Sequence, residues 1–145
     1  MQAMTVPWED VLCRLIPRDR WNYEENRPLI SAFQASGRVL SVWHLEQLAS
    51  AGAAVSDLQI ESLAATGEAH LRVRDFVEAG VNCSSPDFDP RVEWRTSDEY
   101  VHPTWRRWSE SHVQVEATHG KPTFPHDYRV RLTFLCFGLQ APASS

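Results

Sequence analysis

The chain has 145 residues, 43% of them apolar, six tryptophans and a formal charge of −5, with a single lysine, Lys121, among its fourteen cations. One domain of this length buries about 70% of its unfolded surface, the aromatic content excludes a disordered chain, and the acidic balance argues against nucleic acid, whose attraction scales with the cations brought to phosphate. No apolar run of membrane-spanning length occurs and the N-terminus carries Glu9 and Asp10 where a signal peptide would be apolar, so a soluble cytoplasmic protein with no membrane partner is expected.

Val11 to Ile16 is short, apolar and stopped by Pro17, which predicts a strand buried on both faces, with Arg14 as an odd guest. Residues 18–28 are polar and turn-like; LISAF and then RVLSVW (38–43) predict one or two strands. HLEQLASAG (44–52) has Leu45, Leu48 and Ala49 at helical spacing and ends on Gly52. SDLQIESLAATG (56–67) predicts a helix with a Ser56/Gln59 capping box, an Ile60, Leu63 and Ala64 stripe, and Gly67 as its stop.

AHLRVR (69–74) alternates apolar and polar residues as a strand does, and DFVEAG follows as one helical turn capped by Asp75. NCSSPDFDP (82–90) is the clearest loop. RVEWR (91–95) predicts a strand, and PTWRRWSES (103–111) a turn or short helix placing Trp105 and Trp108 on one side. HVQVEA (112–117) and YRVRLTFLCFG (128–138) both alternate, which predicts two strands paired across the loop between them. The sum is a single α+β domain over residues 1–145: a mixed or mostly antiparallel sheet of five or six strands, two or three short helices on one face, and a frayed tail at 139–145.

The alternation at 112–117 puts His112, Gln114 and Glu116 on one sheet face, with neighbours about 7 Å apart. A histidine and a carboxylate so placed can act as acid and base. A metal needs three or four ligands, and His102, His119 and His126 lie in stretches whose spacing fixes no geometry. Cys13, Cys83 and Cys136 show no CxxC or Cys/His spacing, so free thiols and no metal site are expected. Trp94, Arg95, Trp105, Arg106, Arg107 and Trp108 interleave as in single-strand binders, but Asp98, Glu99 and Glu110 undo the field. Core tryptophans flanked by solvated arginines are the simpler expectation.

Arg14 in VLCRLIP, Ser41 in RVLSVW and Gln114-Val115-Glu116 in HVQVEA occur in the order of the Arg, Ser and Gln/Glu-x-Glu motifs of toxin-type ADP-ribosyltransferases. The resemblance implies a transferase in which Arg14 and Ser41 hold a nicotinamide dinucleotide (NAD) and Glu116 stabilises a ribose cation, with His112 and Gln114 beside it. Leu40-Ser41-Val42 stands where that family reads Ser-Thr-Ser.

A second set of segments, Ser31-Ala32-Phe33, Leu40-Ser41-Val42, Asp89-Pro90 and His112 with Glu116, resembles a family of small bacterial proteins of unknown function. It implies an α+β fold and polar interest at His112, and no reaction. The leading expectation is therefore an accessory or protein-interaction module without a cofactor, its partner another protein, encoded in a defence or toxin-linked locus. The NAD-dependent transferase is the alternative.

Overall fold

The computed structural model of the protein describes residues 5–35, 39–61, 65–85, 87–94, 106–117 and 124–143. Strand β1 (Val11–Pro17) alternates between two buried faces, with Leu12 and Ile16 on one and Cys13 and Leu15 on the other. That double burial places it inside a sheet, as a text apolar except for Arg14 requires. A 3-10 turn at Arg18–Arg20 leads into the two-stranded ribbon β2 (Trp21–Asn22) and β3 (Arg27–Pro28).

Of the one or two strands expected over LISAF and RVLSVW only the second forms, and Ile30–Phe33 is a 3-10 turn. Ala32 and Phe33 are adjacent and both buried, which a strand with one covered face would forbid. Strand β4 (Val39–His44) runs straight into helix α1 (Leu45–Ser50), and helix α2 (Val55–Glu61) follows. Helix α2 starts one residue before the expected cap, and the Asp57 carboxylate accepts from the Ala54 amide at 2.8 Å. Gly67, expected as the stop of that helix, lies inside strand β5 (Thr66–Arg72). Leu63 and Ala64 of the expected stripe fall outside the described residues.

Helix α3 (Val73–Val81) is longer than the predicted turn. Asp75 does not begin it but sits in its first turn, where its carboxylate accepts from the Arg72 amide at 2.8 Å, the back-half of a capping box. Strands β6 (Pro90–Trp94) and β7 (His112–Ala117) form where strands are expected, joined in part by a 3-10 turn at Arg106–Ser111.

The predicted strand at 128–138 is mostly helix α4 (His126–Leu135), with the short strand β8 (Phe137–Gln140) after it. Tyr128 and Leu132 lie four apart, a spacing that one strand face and one helix face share. The residues that decide between them are Phe134, which is 68% exposed, and Thr133, which is buried. The tail is also tied down rather than frayed over 139–143, since Gln140 pairs with Glu68 and the Tyr23 hydroxyl donates to the Pro142 carbonyl at 3.1 Å.

Six strands form one sheet in the order β6-β7-β4-β1-β5-β8, every pair antiparallel, so the α+β class and strand number are as expected. Strand β7 pairs with β4 and β6, not with the chain after residue 126. The helices occupy both faces rather than one. Phe76 and Ala79 of α3, Tyr128 and Leu132 of α4, and Phe33 pack with Leu12, Ile16, Leu40, Val42, Leu71, Val113 and Val115 in the larger core. Leu48 of α1, Leu58 of α2 and Trp108 pack with Cys13, Leu15 and Trp43 in a smaller core on the reverse face. No described helix is long and apolar enough to cross a membrane.

Candidate functional site

The sheet is split between its two central strands. Strand β1 pairs with β5 along its whole length, from Val11 to Pro17, yet with β4 only at Leu12/His44 and Cys13/Trp43. Past those two rungs the strands part, and a cavity of about 750 Å³ opens at the parting, lined among others by Arg14, Asp19, Arg20, Gln34 and Ser41.

Arg14 holds the crotch of this wedge. It leaves β1 on the same side as Leu12 and Ile16, its Nε donates to the Ala32 carbonyl at 3.1 Å, and its Nη1 donates to the Ser41 carbonyl at 2.9 Å. Arg20, carried by the 3-10 turn after β1, donates through Nη1 to the Ser31 carbonyl at 2.6 Å. Among the described residues no carboxylate lies within ion-pair distance of either guanidinium. Burial, and after it the charge of Arg20, pushes the Arg14 guanidinium down to about 10, the expected signature of a cation that lacks its counter-charge.

The sequence-predicted residues divide between the two faces of the sheet. Arg14 and Ser41 line the cavity together. It is the backbone carbonyl of Ser41 that meets Arg14; its side chain, between Leu40 and Val42 of the larger core, projects to the other face. Gln114 and Glu116 are the cross-strand partners of Ser41 and Val39, and they lie on the face opposite Arg14, because Val113, Val115 and Ala117 fill the larger core. Gln114 Nε2 donates to Glu116 Oε2 at 3.3 Å.

His112, expected to look into solvent, is only 1% exposed, its ring edge-on to Trp43 with centroids 5.1 Å apart. The face predicted to be wet is roofed at that end by the turn bearing Trp108 and by α1. His126 is exposed at the start of α4, whereas His102, His119 and Trp105 fall outside the described residues.

Two histidines that the sequence reading passed over are better placed. His44 caps α1, its Nδ1 accepting from the Gln47 amide at 3.0 Å while Nε2 lies 2.7 Å from Asp10 Oδ2. With Nδ1 an acceptor, the neutral ring carries its proton on Nε2 and donates it to Asp10; both nitrogens are committed to structure. His70, on the reverse face, contacts Glu68 and lies near Cys13. Only the register of β1 on β5 unites these residues, and no spacing in the sequence announces it.

Comparison with family models, with curated proteins and with solved structures gave no match.

Proposed function

We propose that the protein is a protein-recognition module that takes a C-terminal carboxylate of a partner, in extended conformation, into the wedge between β1 and β4. The supporting observation is a pair of guanidiniums at one cavity with no carboxylate in ion-pair reach among the described residues. An incoming carboxylate would offset one of the two positive charges and accept paired hydrogen bonds from Arg14, the geometry at which arginine outperforms lysine. The net charge of the chain is −5, so any attraction of the wedge for a carboxylate is local rather than a general affinity for polyanions.

An extended peptide suits the walls. Beyond Cys13 and Trp43 the edges of β1 and β4 that face each other have no ladder rung between them, and a strand entering such a gap gains backbone hydrogen bonds while its side chains select the sequence. The reading fits an accessory role in which affinity for another protein, rather than turnover, is the output.

The test is capture of synthetic peptide pools that differ only at the C-terminus, free acid against amide. Wild-type protein is expected to retain members of the free-acid pool, and Arg14→Met to lose them by at least tenfold. Equal retention of the amidated pool would remove the carboxylate from the argument. Stabilisation by inorganic phosphate, with neither pool retained, would assign the wedge to a phosphoryl group instead.

A further inference from the structure

On the reverse face of the sheet, independent of the wedge, β1 and β5 bring a thiol, a carboxylate and an imidazole together. Cys13 and His70 are directly paired across the two strands, and Glu68 pairs with Leu15, so all three side chains project from one face. Cys13 Sγ donates to Glu68 Oε2 at 3.8 Å, and His70 Nε2 lies 2.7 Å from the same oxygen. The three ligand atoms lie within 4.8 Å of one another. Tetrahedral zinc, with bonds of about 2.0–2.3 Å, sets its ligands roughly 3.4–3.6 Å apart, and the observed separations bracket that range.

From this geometry we infer that Cys13, Glu68 and His70 form a zinc site that clasps β1 to β5. The donor set selects the metal. Thiolate with imidazole disfavours magnesium and calcium, which take oxygen shells, and suits zinc, which does not change oxidation state at a thiolate. Charge closes as well, because one thiolate and one carboxylate neutralise the dication. On binding, coordinate bonds form to Sγ, a Glu68 oxygen and Nε2, the thiol proton passes to solvent, and the Glu68–His70 contact is given up.

The imidazole is held ready. Phe137 stands edge-on to the His70 ring, with centroids 5.9 Å apart, and Gly138, at φ +59°, packs so closely that a Cβ there would lie 2.4 Å from His70 Nδ1. The β5–β8 register shifts between Glu68 and His70, the kind of bulge that re-aims side chains at sites. The Glu68 and His70 side chains are 13% and 20% exposed, which gives an ion a path to a site whose thiol is fully buried. Three protein ligands leave one coordination position for water or a substrate atom.

The test uses the full chain, stripped of metal and titrated with zinc against a chromophoric chelator, then with cobalt(II). One zinc per chain is expected, together with a near-ultraviolet thiolate-to-cobalt absorption band. Zinc affinity should fall at least tenfold in His70→Gln, Glu68→Gln and Cys13→Ala, each confirmed as folded by circular dichroism, and stay unchanged in Cys83→Ser and Cys136→Ser. Should Cys13→Ala fail to fold, the two glutamine variants and the cobalt band of the wild type still decide. Zinc bound no more tightly by wild type than by His70→Gln, or a cobalt complex without the thiolate band, overturns the site.

Discussion

The guanidinium of Arg14 stands where a rung between β1 and β4 would be: Nη1 donates to the Ser41 carbonyl at 2.9 Å, just past the last paired residues, Cys13 and Trp43. A side chain thus closes the sheet at the point where the backbone opens it. Arg14→Met leaves the carbonyls of Ala32 and Ser41 without this donor, at about 1–3 kcal/mol for such groups when buried. Relief of a cation without a counter-charge offsets part of that. The expected net loss is on the order of 1 kcal/mol by urea unfolding, with faster amide exchange confined to residues 39–42. Exchange spread evenly through the sheet would refute the role of Arg14 as a rung.

Tyr128 is fully buried on α4, and its hydroxyl donates to the Phe76 carbonyl of α3 at 2.9 Å. Tyr128→Phe keeps the ring packing against Phe88 and Phe124 and removes only that bond, so a loss of about 1–2 kcal/mol is expected. Burial pushes the Tyr128 phenol well above its ordinary value. The unfolded chain therefore releases this proton first, and stability falls as pH rises above about 10. Spectrophotometric titration should show one tyrosine ionising only together with unfolding; its early ionisation would contradict the buried placement.

At the acid end the corresponding group is Asp127, whose carboxylate accepts from the Ser84 amide and so ties the 82–85 loop to the first turn of α4. That hydrogen bond holds the carboxyl below its ordinary value. Its stabilisation is present above the unfolded value of about 4 and is lost as pH falls below it and through the lower folded value. Asp127→Asn is expected to flatten the acid limb of melting temperature against pH and to leave the neutral limb parallel to wild type.

His44 gives a sharper stability test because its two roles separate. The ring caps α1 through Nδ1 and binds Asp10 through Nε2. His44→Ala removes both, and a loss of about 2.5–4 kcal/mol is expected from a cap worth roughly 1 kcal/mol and a part-buried bond to a charged group worth roughly 1.5–3 kcal/mol. His44→Asn, a good capping residue, should recover the first part and not the second. Equal loss in the two variants, read from denaturant midpoints, would mean that the cap contributes nothing.

What the sequence made legible were the elements whose pattern is local. Alternation in HVQVEA and AHLRVR marks β7 and the second half of β5, although Val73 and Arg74, expected to continue that strand, begin α3; RVEWR marks β6, and VLCRLIP announces a strand covered on both sides by having no polar face apart from Arg14. The failures share a physical cause. A four-residue step such as Tyr128 to Leu132 satisfies both periodicities, and only the tertiary roof over Thr133 and the solvent over Phe134 discriminate between them.

Register is not written locally at all. Nothing in the text says that Cys13 faces His70, or that the β1–β4 ladder stops after two rungs, because both follow from how far one strand slides along another. The candidate site was therefore half visible. Arg14 stood out as a cation in an apolar strand, while Arg20 and the Cys13–Glu68–His70 group waited on the pairing of distant segments.

Gly138 and His70 test that pairing directly. The glycine sits at φ +59° in the edge strand β8, and a Cβ added there would meet His70 Nδ1 at 2.4 Å and Cγ at 2.8 Å. Gly138→Ala therefore suffers twice, from left-handed backbone strain of about 1–2 kcal/mol and from a clash of the overpacking kind, typically 1–3 kcal/mol. Removing the ring with His70→Ala relieves only the second part. In a double-mutant cycle the two substitutions should couple by about 1–3 kcal/mol, with the strain remaining in the His70→Ala background. Additive effects would mean that β8 does not press on the imidazole, and the pre-set orientation of His70 would fall with it.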